Sequence, residues 1–414
     1  MSTYLEHSAY DARWLACETE RLLSFGVDSA DHRQGFGWLA ANGSVDCDRG
    51  TLTWVNCRMT HVYALGHLLG YPGAAEAMRA GVEALVTTLH DGQSDGWFPA
   101  VTAHGDPDAS TKDAYDHAFV LIAASSAVVA GAPGGQALLA SALRVWEKYW
   151  WDEDAGLTRD RMSSDWSVCD SYRGVNANMH TVEALLAVGD VTGDPIHYQR
   201  ALRITARIVD TFTRNNHWLM PEHFNEHWEP DLEYSRDRPD DPFRPYGVLI
   251  GHQFEWSRLC LNLAASLGED APAWLTEDAI ALFDTGIRLG WEADGHPGFV
   301  YTVDWDGRVI VPARLHWVAC EAISAAAALA TATGDSQYVT WYERFWAHAE
   351  ATFIDREQGS WHHERTVDGA HSGGVWSGKP DLYHALHSTL IPRLPLAPSL
   401  ATALQQSGIR LVLQ

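Results

Sequence analysis

Apolar and small residues recur with a helical period along most of the chain, and polar, turn-rich connections separate the runs. Six such runs start at a histidine, for example HAFVLIAASSAVVAG and HWVACEAISAAAALATATG. The leading histidines are His61, His117, His180, His252, His316 and His384. They are 56, 63, 72, 64 and 68 residues apart, and five of the six runs continue to a glycine suited to end a helix. A unit of about 60 to 70 residues holds two helices, so six units predict about twelve helices.

This repeat predicts an all-α fold, most simply an (α/α)6 barrel, or toroid, with short β hairpins in the loops. Residues 7–25 predict a first amphipathic helix, and the segment DSQYVTWYERFWAHAEATFI is typical of an outer helix. The segments TLTWV, within the turn-rich residues 35–56, and HPGFVYTVDWDGRVIV predict short hairpins. Because no Pro/Ser-rich linker interrupts the repeat, we expect one domain over residues 1–414.

Composition narrows the classes of partner. The chain has 29 Lys and Arg against 54 Asp and Glu, a net charge of −25, which argues against nucleic acids and anionic membranes as partners. No apolar stretch approaches the roughly 18 residues of a membrane span, and the first residues lack a secretory signal pattern. Six scattered cysteines without a CxxC pair predict reduced thiols and a cytoplasmic protein.

The histidines are the candidates for chemistry. In a closed ring the first turns of the inner helices meet at one end, which would place several imidazoles around a pocket suited to proton transfer on a small molecule. In GHQFEWSRL, His252 and Glu255 share one helix face, and NMHTVEALL repeats this spacing with His180 and Glu183. KPDLYHALHSTL supplies His384 at the same leading position.

Other polar residues near the predicted helix starts are candidate binders of substrate oxygens. Arg58 offers a fixed cation with fork geometry, and Tyr115 and Asn176 offer neutral hydrogen-bonding groups. The polar stretch 222–247 is long enough to predict a lid or rim. No phosphate loop, dinucleotide fingerprint, GxSxG elbow or HExxH motif is found, so we expect neither a cofactor nor a bound metal.

At GHQFEWSRL, RLHWVACEA and SGKPDLYHALHS the sequence resembles the N-acylglucosamine 2-epimerase superfamily. Its ending is most similar to the aldose–ketose isomerase branch, which includes D-mannose and sulfoquinovose isomerases. The resemblance implies an (α/α)6 barrel that acts on a monosaccharide without metal or redox cofactor. It implies His252 and His384 as an acid/base pair with a supporting Glu255. The sugar-contacting residues that it implies are Arg58, Tyr115, Asn176 and His180.

Several functions remain compatible with these residues. Isomerisation of D-mannose to D-fructose, or of D-lyxose to D-xylulose, moves a proton from C2 to C1 through a cis-enediol, which one base can do. Epimerisation at C2, as for N-acetylglucosamine or cellobiose, needs bases on opposite faces, and two histidines could serve either reaction. A sulfoquinovose isomerase, a glycoside hydrolase with two carboxylates and a non-catalytic sugar-binding protein also fit the same residues. The family branch favours the aldose–ketose isomerase.

Overall fold

The computed structural model describes residues 7–31, 34–107 and 111–411. These residues form two compact units. Unit 1 comprises the described parts of Met1–Thr19, Thr205–Gly378 and His384–Pro398. Unit 2 comprises the described parts of Glu20–Ile204, Lys379–Tyr383 and Ser399–Gln414. The single domain expected over residues 1–414 stays a prediction.

Helices account for most of the regular structure in the described ranges. They are α1 (Ala12–Gly26), α2 (Thr53–Leu68), α3 (Ala74–Val86), α4 (Ala114–Val129), α5 (Gly135–Val145), α6 (Val175–Thr192), α7 (Ile196–Thr205), α8 (Ile250–Leu267), α9 (Trp274–Gly290), α10 (His316–Thr333), α11 (Ser336–Thr352), α12 (Tyr383–Leu390) and α13 (Leu400–Ser407). Wider π-helical turns continue α5 over Trp146–Trp150 and α7 over Ala206–Thr213.

In unit 2, α2 packs against α3 and α4, and α4 packs against α5 and α6. The inner helices of this unit are buried on all sides: 14 of the 16 residues of α2 are buried. Their partners α3 and α5 bury one face only, as expected for amphipathic helices between core and solvent. The small residues of α4, in the run LIAASSA, allow the close approach of its neighbours.

Unit 1 repeats this arrangement. Helix α8 packs against α9 and α10, and α10 packs against α11. Gly334 ends α10 in the left-handed conformation, with φ 71°, which a side chain would disfavour. Asp335 then caps α11 by accepting a hydrogen bond from the Gln337 backbone N–H at 2.9 Å.

Short strands lie in the connections. They are β1 (Ala30–Asp31), β2 (Gly35–Phe36), β3 (Thr51–Leu52), β4 (Ala100–Val101), β5 (Thr111–Asp113), β6 (Trp151–Asp152), β7 (Leu157–Thr158), β8 (Arg161–Ser163), β9 (Arg173–Gly174), β10 (His223–Phe224), β11 (Val248–Leu249), β12 (Thr302–Val303), β13 (Val309–Val311), β14 (Arg314–Leu315) and β15 (Glu364–Arg365). Antiparallel pairs join β1 to β2, β3 to β4, β5 to β8 and β6 to β7 in unit 2. Unit 1 contains the ribbons β11–β12–β13 and β14–β15. Several ribbons lead directly into an inner helix.

One helix start was predicted wrongly. Five of the six histidines lie within the first six residues of their helices, but α2 begins at Thr53, so His61 lies in its middle. The β-prone run TLTWV contributes only β3 to a strand. The Thr53 N–H, one of the N–H groups of the first turn that have no acceptor within the helix, donates to the Pro99 carbonyl at 2.9 Å.

Two further expectations concern membrane spans and the state of the cysteines. None of the described helices combines the length and the apolar character needed to cross a membrane. All six cysteines are free; Cys57, Cys260 and Cys320 are buried and the other three are exposed.

Candidate active site

His252 is oriented by a carboxylate that precedes it by 30 residues. It is the third residue of α8, and its Nδ1 lies 3.0 and 2.9 Å from the two carboxylate oxygens of Glu222. Both side chains are buried. Because a carboxylate accepts, the ring donates from Nδ1, which makes Nε2 the atom suited to exchange protons with a substrate.

His384 has the same kind of partner. It is the second residue of α12, and its Nδ1 lies 2.9 Å from Oε1 of Glu321 on α10. Glu321 is fully buried and His384 is 6% exposed. The carboxylate fixes the ring orientation and the tautomer, as it does for His252.

One indole ring lies beside both imidazoles. The ring centroid of Trp317, on α10, is 5.6 Å from that of His252 and 5.8 Å from that of His384. The two histidine–carboxylate pairs of unit 1 therefore belong to one cluster. Sequence reasoning selected the two histidines but missed Trp317.

The carboxylate that contacts Nδ1 of His252 is that of Glu222, and not that of Glu255. The side chain of Glu255 is buried on α8, with Oε1 3.6 Å from Nη2 of Arg258. The role predicted for Glu255 stays a prediction. The signal for Glu222 in the sequence was its place at the start of the polar stretch 222–247, which was predicted as a lid or rim without a catalytic carboxylate.

Arg58 is the centre of a second cluster, in unit 2. Its Nη1 donates to Asp381 at 3.2 Å and its Nη2 to the Tyr115 hydroxyl at 2.9 Å. Aromatic rings surround the guanidinium, with centroids 4.6 Å away for Phe119 and 4.9 Å for Tyr383. Burial alone would lower the pKa of Arg58, but Tyr115 and Asp381 outweigh it and raise the pKa above its usual value. Arg58 therefore carries a permanent charge.

The same cluster includes His180. Its ring lies 5.3 Å from that of Tyr115, and its Nδ1 is 3.3 Å from Oε2 of Glu183, the i+3 contact predicted from the sequence. Asn176 is half-buried in the first turn of α6. Asn178, by contrast, uses its side-chain amide to bind the backbone of Thr158 and Gly174. Unit 2 thus joins Arg58, Tyr115 and His180.

Two of the remaining leading histidines are core residues. His61 contacts Ser126 Oγ through Nδ1 at 2.6 Å, and burial lowers its pKa to about 4. His117 accepts from the Trp97 N–H at 3.2 Å, and burial lowers its pKa to about 3. Both rings are neutral near pH 7, and His117 fastens the loop before β4 to the start of α4.

The chemistry available in unit 1 is reversible proton transfer. Two buried imidazoles, each held by a carboxylate through Nδ1, are suited to general acid/base catalysis. Unit 2, by itself, contains a permanent cation, a phenol hydroxyl and an imidazole, groups that bind polar oxygens.

Comparison with known proteins gives a consistent result. Residues 35–388 match the family described as N-acylglucosamine 2-epimerase. The chain is 47% identical to a D-mannose isomerase from Thermobifida fusca over 410 residues, covering 99% of this chain and 100% of that protein. It is 46% identical to a D-mannose isomerase from Pseudomonas cannabina pv. alisalensis, covering 97% of each chain.

Solved structures of related enzymes have a similar fold. A crystal structure of a D-mannose isomerase has a TM-score of 0.86 and 27% identity, covering 92% of this chain and 97% of that one. A cellobiose 2-epimerase from Spirochaeta thermophila has a TM-score of 0.80 at 20% identity, covering 92% and 96%, and shows the fold alone. The predicted fold class, an all-α (α/α)6 barrel with short strands in the loops, is confirmed. The chain belongs to the N-acylglucosamine 2-epimerase family.

Proposed function

We propose that the protein is an aldose–ketose isomerase that interconverts D-mannose and D-fructose. The observation that carries this proposal is the pair of buried histidine–carboxylate contacts, His252–Glu222 and His384–Glu321, whose imidazoles lie 5.6 and 5.8 Å from the ring of Trp317. The relatives named D-mannose isomerase, 46 and 47% identical over nearly the whole chain, support the choice of sugar.

The proposed reaction is a proton transfer between neighbouring carbons. One imidazole of the pair takes the proton from C2 of open-chain mannose, which gives a cis-enediol, and returns it to C1 on the same face. The other imidazole moves protons between O1 and O2 and assists ring opening. Each carboxylate stabilises the imidazolium that forms on its partner and keeps Nε2 directed to the sugar. We assign Glu255 the part of a buried negative charge that supports this pair.

We assign sugar binding to Arg58, Tyr115, Asn176 and His180. Arg58 is permanently charged and is held by Asp381, so it is suited to stabilise negative charge on an enediolate oxygen. The Tyr115 hydroxyl, the Asn176 amide and the His180 imidazole are suited to hydrogen bonds with sugar hydroxyls.

The test is incubation of the EDTA-treated protein with D-[1-¹³C]mannose, followed by ¹³C NMR. We expect fructose labelled at C1 as the first product. Glucose without fructose would indicate C2 epimerisation and would overturn the isomerase proposal. No conversion of mannose, with turnover of sulfoquinovose, N-acetylglucosamine or cellobiose instead, would overturn the choice of substrate.

We also propose that the protein is cytoplasmic. We propose that it binds a monosaccharide and binds neither nucleic acid nor membrane lipid. The net charge of −25 and the six free cysteines support this proposal. Fractionation of the source cells tests it, since recovery with membrane or secreted proteins would contradict it.

A further inference from the structure

Arg258 connects two buried carboxylates of unit 1, Glu321 and Glu255. Its Nε donates to Oε2 of Glu321 at 3.1 Å, and its Nη2 lies 3.6 Å from Oε1 of Glu255. Its Nη1 donates to Oδ1 of Asn262 at 3.5 Å, and Nδ2 of Asn262 donates to the Leu396 carbonyl at 2.7 Å. The side chain of Arg258 is only 5% exposed. It is therefore a buried cation held between two buried anions.

The other oxygen of Glu321 is the one that binds His384. Oε1 of Glu321 contacts Nδ1 of His384 at 2.9 Å, while Oε2 accepts from Arg258. The carboxylate is thus shared between a permanent cation and an imidazole. A charge-assisted bond of this kind fixes the plane of the carboxylate and with it the direction of the ring.

The pair around His252 is built differently. Glu222 presents both of its oxygens to Nδ1 of His252, at 3.0 and 2.9 Å. In the part of the chain that the structure describes, Glu222 has no Lys or Arg within ion-pair distance. The carboxylate of Glu222 therefore contacts His252 without an arginine beside it, whereas the carboxylate of Glu321 contacts both His384 and Arg258.

We propose that Arg258 is a positioning residue that makes the two histidine–carboxylate pairs unequal, by holding Glu321 in place and sharing its charge. This inference rests on the proposed function and assigns a division of labour within the same site. His384, with the shared carboxylate, gives a proton to O1 and takes one back from O2, so that it ends the reaction protonated as it began. His252, with the unshared carboxylate, acts as the base at carbon.

The groups that face His384 come from several elements. Glu321 and His316 project from α10, and the ring centroid of His316 is 6.5 Å from that of His384. His363, just before β15, stacks on His316 at 3.8 Å. Arg258 lies behind Glu321 and is the permanent cation of this set, so its removal leaves the negative charge of Glu321 to act on His384 alone.

The first test is an NMR titration of His384 in protein labelled with ¹⁵N-histidine, assigned by comparison with H384Q. In R258M, Glu321 is no longer shared, so we expect His384 to take up its proton at a pH about one unit higher than in the unmodified protein. In R258K the charge is retained, so the titration of His384 should stay unchanged. Identical titrations in R258M and the unmodified protein, or equal shifts in R258M and R258K, would overturn the proposal.

Kinetics with D-mannose give the second readout. In R258M we expect kcat to fall at least about tenfold with KM changed less than about threefold, because Arg258 acts through His384 rather than on the sugar. R258K should recover part of kcat. The matched control is R314M, which removes another buried arginine of unit 1, paired with Asp294 at 2.8 Å. This variant should lower stability and leave the titration of His384 unchanged.

Failure of the two proposals can be told apart. If the unmodified protein does not convert mannose, the proposed function is wrong, whereas the titration of His384 still tests Arg258. If mannose is converted but R258M affects KM alone, Arg258 is not a positioning residue for His384.

Discussion

At the scale of single residues, each proposed catalytic imidazole depends on a distant carboxylate. The sequence indicated His252 and His384 through their place at helix starts. Glu222 and Glu321 precede them by 30 and 63 residues, and no local spacing relates them. A helix-face argument finds partners at i+3, such as Glu183 for His180, but not partners brought in by a loop or a neighbouring helix.

Glu222 gives the first prediction at this scale. Replacing it with glutamine (E222Q) keeps the size of the side chain but removes the charge that orients His252 and stabilises its imidazolium. We expect kcat for fructose formation to fall on the order of 10²-fold, with little change in KM.

The control is E226Q, which alters a glutamate in the same polar stretch whose side chain is 58% exposed. It should have nearly the activity of the unmodified protein. An E222Q protein that is folded and nearly as active as E226Q would show that Glu222 does not support the base.

At the scale of elements, the sequence predicted which segments are helical more accurately than the residues at which those helices begin. The glycines expected to end α6 and α10 do so, since Gly193 and Gly334 adopt φ 70° and 71°. These signals are local, because only glycine adopts that conformation at little cost. The start of α2 depends instead on contacts with distant residues: Asn56 binds the Phe36 N–H and the Gly81 carbonyl. No propensity within TLTWV encodes those contacts.

A second element-scale feature is the buried ion pair that fastens β5 to the loop after α3. Lys112 is fully buried, and its Nζ donates to Asp91 at 2.5 Å and to the Ser164 carbonyl at 2.7 Å. Asp91 also accepts from the backbone N–H groups of Gln93 and Ser94. Replacing Lys112 with methionine leaves a buried carboxylate without its cation. We expect the free energy of unfolding, from urea titration, to fall by about 3 kcal/mol.

The exposed Lys148 provides the comparison for this prediction. K148M should lower the free energy of unfolding by no more than about 0.5 kcal/mol. Equal unfolding midpoints for K112M and K148M would mean that the buried pair does not fasten the loop.

At the scale of the whole molecule, buried neutral histidines link stability to pH. The pKa of His61 is about 4 in the folded protein, because burial disfavours the charged ring, against about 6.5 in an unfolded chain. Between these values the unfolded state binds the proton first. The contribution of His61 to stability is therefore fully present above about pH 6.5 and is lost as the pH falls toward 4.

Substitution of His61 by glutamine should remove this dependence. Between pH 6.5 and pH 5 we expect H61Q to lose about 2 kcal/mol less unfolding free energy than the unmodified protein, measured by urea titration at both values. H227Q, which changes a histidine that is 74% exposed, should follow the unmodified protein. A pH dependence in H61Q equal to that of H227Q would contradict the account of a neutral core histidine.

The central claim is that His252 and His384 carry the proton transfer of a sugar isomerase, and one measurement addresses it most directly. The unmodified protein, H252Q and H384Q are each incubated with D-mannose in D₂O, and NMR follows both fructose and deuterium at its C1. We predict fructose formation by the unmodified protein and a loss of at least about 10²-fold in each variant, with the fold retained by circular dichroism. Fructose formation in either variant at nearly the unmodified rate would contradict the claim.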